Sequence, residues 1–79
     1  MHYILDACAL IAFLNDEENA DKIEELLNQS FADEVSISMS IINLLEVYYS
    51  ELREKGEEIA QVVLDMVQYY SIHIVDTVF

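Results

Sequence analysis

The chain has 79 residues, 54% of them hydrophobic, with one glycine, no proline, and 16 acidic residues against three basic ones, a net charge of −13. That size allows one small domain, the apolar content argues against disorder, and the charge excludes a sequence-independent grip on phosphate backbones, which needs clustered Lys and Arg. The lone Cys8 excludes an internal disulfide framework and a Cys-rich zinc site, and no apolar run is long enough for a membrane span. The start has no basic segment and carries Asp6 inside its apolar run, which does not fit a secretory signal. The expectation is a single domain over residues 1–79, cytoplasmic and in a reducing compartment, with more apolar surface than one short chain covers.

Tyr3 to Asp6 reads as a short buried strand because its residues are continuously apolar up to the acid. A helix over Ala7 to Leu14 follows, presenting Leu10, Ile11, Phe13 and Leu14. The stretch "NDEENADKIEELLNQ" predicts a second helix, capped by Asn15 or Asp16, with Ala20, Ile23, Leu26 and Leu27 as its apolar stripe. In "EVSISMS" the alternation of Val35, Ile37 and Met39 with serines marks a strand, and Ser40 is placed to cap what comes next. A long helix runs from Ile41 to about Lys55, closed by Gly56. "EEIAQVVLDMVQYY" is another, with Ile59, Val62, Val63, Met66, Val67 and Tyr70 on one face, and "SIHIVD" closes as a third strand ending on Asp76. The final "TVF" reads as the entrance to a further helix. The order β-α-α-β-α-α-β predicts parallel strands joined by helical crossovers, hence an α/β fold.

In such sheets ligands collect at the carboxyl ends of the strands. Asp6 falls there, either as a metal ligand or catalytic acid or as a helix cap taking the backbone N–H of Cys8 or Ala9. Glu46 is the second candidate, set among Leu44, Leu45, Val47, Tyr48 and Tyr49 and outside the charged stripe to which Glu51 and Glu54 are assigned; the alternative role is pairing with Ser50 or Arg53. Two carboxylates meeting at the top of a sheet favour a hard divalent cation, Mg²⁺ or Mn²⁺, and phosphodiester hydrolysis is the chemistry such sites support. Asp76 reads as a cap and Asp65 as solvated surface. His73 reads as a structural histidine, and Tyr48, Tyr49, Tyr69 and Tyr70 as core or interface rather than base-stacking residues.

"YILDACALIAFLNDEENADKIEELL" followed by "VSISMSIINLLEVYY" resembles the PIN-domain ribonucleases, in particular the VapC-like toxins of VapBC toxin–antitoxin modules. The resemblance runs over essentially the whole chain. It places the family's first acid on Asp6 and its helix glutamate on Glu46, as catalytic residues and Mg²⁺ or Mn²⁺ ligands. It implies a three-layer α/β/α fold with a short parallel sheet, here an incomplete N-terminal portion, RNA as substrate, a cognate antitoxin offering a basic segment, and a homodimer. Two features depart from the pattern. Cys8 stands where the family usually carries Ser or Thr, and the later family acids find no counterpart before Phe79. The expected function is therefore a metal-dependent endoribonuclease that is weak or inactive as this short chain, with a non-catalytic dimerisation or antitoxin-binding module as the alternative.

Overall fold

A computed structural model describes residues 1–76 of the protein. Its elements are β1 (His2–Ile4), α1 (Ala7–Leu14), α2 (Ala20–Phe31), β2 (Ser36–Ser40), α3 (Ile41–Lys55), α4 (Glu57–Tyr69) and β3 (His73–Val75). The strands form one parallel sheet in the order β1-β2-β3, with Tyr3 opposite Ile37 and Met39 opposite Ile74. The expected α/β fold with helices between parallel strands is present. The helix expected to begin at "TVF" lies outside the described residues.

Side-chain alternation along the strands explains where the core sits. Leu5, Ile37 and Met39 are at most 3% exposed and join Leu10 of α1, Leu27 of α2, Leu44 and Val47 of α3, and Val63 and Val67 of α4 in a single cluster. Each such side chain, fully buried, contributes on the order of 1.5–3 kcal/mol. The alternate residues His2, Ile4, Ser36 and His73 face the other way and are exposed. The helices thus bury their stripes in one core on one side of the sheet. Among the described residues no second helical layer covers the opposite side.

Local chemistry sets most helix ends. Ser40 accepts the Asn43 N–H at 3.1 Å and starts α3. Gly56 has φ 97° and ψ 178°, a conformation almost confined to glycine, and it separates α3 from α4 while its N–H donates back to Glu51 and Leu52.

Several expectations are corrected. β1 ends at Ile4, and that residue is 80% exposed, so the strand is buried on one side only. A continuous apolar run cannot show which of its faces will be covered. The second helix begins at Ala20, not near Asn15: Asn15 terminates α1 and Asp16 has φ 53°, which turns the chain away from a helical path. On α4, Ile59 and Val62 are 38% and 42% exposed, because the helix turns Ala60, Val63 and Val67 inward instead. His73 is exposed on the uncovered side of the sheet rather than held structurally.

The largest correction is Glu51. The charge pattern of the sequence puts it on a surface stripe, yet it is 0% exposed. Its position follows Leu44 and Val47 at helical spacing, so it falls on the buried stripe of α3.

Candidate functional site

Asp6 lies one residue beyond the last β1 ladder bond, in which Leu5 N–H donates to the Ser38 carbonyl at 2.8 Å. Its extended backbone, φ −100° and ψ 171°, makes it the N-cap of α1, and its Oδ1 accepts the Ala9 N–H at 2.8 Å. The residue is solvent-exposed at the positive end of the helix dipole, so the apolar run that precedes it never encloses the charge. One carboxylate oxygen is committed to the cap. The other is free of any hydrogen bond among the described residues.

The cap makes a separable contribution. Asp6→Ala is expected to destabilise the fold by about 1 kcal/mol, and Asp6→Asn by only a few tenths, because the amide oxygen still accepts from Ala9. Urea denaturation of the two variants checks this, and equal losses would show that the negative charge rather than the cap matters to stability.

Glu46 is exposed on α3, five residues after Ile41, or about 7.5 Å of helix rise from the carboxyl edge of the sheet. It makes no ion pair or hydrogen bond with Ser50 or Arg53 among the described residues. α1 packs against α3, so the helices carrying the two acids are neighbours. Cys8, the second residue of α1, is exposed and free. Asp76 and Asp65 are exposed, and Asp65 accepts a 3.3 Å hydrogen bond from Gln61 Nε2. The larger concavities lie elsewhere. One of about 670 Å³ is lined by Ile41, Leu64, Val67 and His73, and one of about 420 Å³ runs along Asp21, Glu24 and Glu25.

Exposed carboxylate oxygens are the donor type that Mg²⁺ and Mn²⁺ prefer. The number of donors does not match. Among the described residues no three His, Cys, Asp or Glu side chains converge on a point that could hold a metal. Asp6 and Glu46 fit a metal site in kind but do not complete one.

Of the tyrosines, Tyr69 stacks on Phe31 with ring centroids 4.8 Å apart and is 60% exposed, and Tyr49 is 55% exposed beside Tyr48. Sequence reasoning missed the polar group inside the molecule. Glu51 Oε2 lies 3.2 Å from Lys55 Nζ, and neither Glu51 oxygen accepts a hydrogen bond among the described residues. The signal was present in the chain: a position seven after Leu44 and four after Val47 sits on the apolar face whatever its residue type.

No helix among the described residues is long and apolar enough to cross a membrane. A comparison with curated proteins finds no match. The sequence profile of the PIN domain matches residues 3–78, in keeping with the parallel sheet and with an acid at the end of its first strand. The chain belongs to the PIN domain family.

Proposed function

We propose that the chain is the acid-bearing part of a PIN-type endoribonuclease, in which Asp6 and Glu46 supply carboxylates toward Mg²⁺ or Mn²⁺ at the carboxyl edge of the sheet. The observation that carries this reading is Asp6. It stands exposed just past β1 with one oxygen uncommitted, in a chain matched to the PIN family. Such a metal would supply charge to the scissile phosphate and lower the pKa of bound water. The chain's own residues contribute two ligand groups of a set that needs more, so the 79 residues by themselves cleave RNA feebly or not at all.

The same acidic edge fits the basic segment of an antitoxin in a VapBC-like module, and the net charge of −13 favours such a partner by long-range attraction. This activity and partner fit a cytoplasmic protein. A second reading, a non-catalytic module that pairs with a second copy or with an antitoxin, is favoured by one surface. Ile42, Leu45 and Tyr49 of α3 are 52%, 41% and 55% exposed along one side of the helix.

Incubation of the chain with single-stranded and structured RNA in Mn²⁺ or Mg²⁺ separates the readings. Endonuclease reading: slow cleavage that chelator abolishes and that Asp6→Asn and Glu46→Gln each reduce at least about tenfold. Cleavage that survives both substitutions would sink the assignment of these two residues. No cleavage, together with no Mn²⁺ binding, would favour the module.

A further inference from the structure

Glu51 is an expensive residue to keep where it is. Neither oxygen of its fully buried carboxylate accepts a hydrogen bond, and burying a charge costs more than the ion pair it makes commonly returns. What this one does is hold Lys55. The Lys55 side chain is only 37% exposed, its ammonium lies 3.2 Å from Glu51 Oε2, and the same ammonium donates to Asn15 Oδ1. Asn15 in turn terminates α1, its N–H donating to the Ile11 carbonyl at 3.0 Å while the next N–H, of Asp16, donates to Phe13. Among the described residues this is the one side-chain hydrogen bond that joins α1 to another element.

α1 is eight residues long, a rod of about 12 Å. One end is fastened to α3 through Asn15, and the other end is Asp6. α3 carries Glu46 on the same helix as Glu51 and Lys55. We propose that the Glu51–Lys55–Asn15 link is a positioning device that fixes α1 against α3 and so sets Asp6 relative to Glu46. This inference rests on the reading of Asp6 and Glu46 as the functional pair. The three linked residues touch neither substrate nor metal in it; they act through the placement of α1.

The single cysteine supplies the test. A nitroxide attached to Cys8, two residues from Asp6, broadens amide resonances on α3 according to their distance from α1. Asn15→Ala, Glu51→Met and Lys55→Gln are compared with the parent, each labelled at Cys8. The link predicts that broadening of the amides from Asn43 to Ser50 changes by about twofold or more in each variant, while broadening within α1 stays the same. It also predicts that Glu51→Met melts at or above the parent temperature while its broadening pattern changes, a combination that a purely stabilising role would not give. If Lys55→Gln fails to fold, the other two variants decide. An unchanged pattern on α3 in Asn15→Ala and Glu51→Met would overturn the proposal. The readout involves neither metal nor RNA. Absent Mn²⁺ binding at Asp6 and Glu46 alongside altered broadening therefore counts against the Asp6–Glu46 reading alone.

Discussion

Lys55→Met is expected to lower the stability of the fold by about 3 kcal/mol. The reason is asymmetry. Removing one partner of a buried pair leaves the other charge uncompensated, at a cost of about 3–5 kcal/mol. The lower end applies because the Lys55 side chain is 37% exposed while Glu51 is 0% exposed, so part of the ammonium's interaction is already screened by water. A chain of this size has a total stability of roughly 4–12 kcal/mol, so the loss removes about a quarter of it or more. The converse change behaves differently: Glu51→Met removes the buried charge and leaves an ammonium that is 37% exposed and can hydrate, so it is expected to be neutral or stabilising. In a double-mutant cycle, most of the loss caused by Lys55→Met should vanish in the Glu51→Met background. Urea midpoints for the four proteins measure this. A loss that persists undiminished in the double variant would mean that Lys55 acts through packing of its stem rather than through its charge.

The second large effect is Leu27→Ala, expected to cost about 3 kcal/mol. α2 buries only Ala20, Leu27 and Ser30, and Leu27 is the one large side chain among them, at 0% exposure. It joins α2 to the cluster of Leu10, Ile37 and Met39, so truncation leaves a cavity where α2 meets the rest of the core. Leu45→Ala on α3 is the control. Leu45 is 41% exposed, and its truncation should cost under about 1 kcal/mol. Urea denaturation again reads both. Equal losses at the two positions would contradict the placement of Leu27 inside the core and of Leu45 on the outer face of α3.

How far the sequence carried these conclusions depended on whether the deciding interaction was local. α1 and α3 could be bounded closely because Asp6, Ser40 and Gly56 act on backbone groups within three to five positions of themselves. The start of α2 could not. "NDEEN" offers several polar residues that can cap a helix, and the positive φ of Asp16 breaks the helical path between α1 and α2. The faces of β1 and α4 were likewise undecidable locally. Ile4, Ile59 and Val62 are as apolar as their buried neighbours, and only the arrangement of distant elements assigns them to the outside. Glu51 was misassigned for the opposite reason: its charge was weighed above its spacing, although the period through Leu44 and Val47 was visible.

The candidate site divides in the same way. Asp6 was legible because a strand's carboxyl end and a helix N-cap use one position, and the structure shows the cap with an oxygen to spare. Glu46 was legible as an acid out of place in an apolar stretch, and it is exposed and unpaired among the described residues. What joins the two is the packing of α1 on α3, together with a lysine and a buried glutamate that no motif marks.

The claim that Asp6 and Glu46 form one cation-attracting edge is tested most directly by Mn²⁺ titration of the isotopically labelled chain, followed through paramagnetic broadening of its amides. The account predicts that Cys8 and Ala9 broaden together with the residues around Glu46 at the lowest Mn²⁺ concentrations, and that Asp6→Asn abolishes both effects at once. Broadening that begins instead along Asp21, Glu24 and Glu25, and that is indifferent to Asp6→Asn, would contradict it.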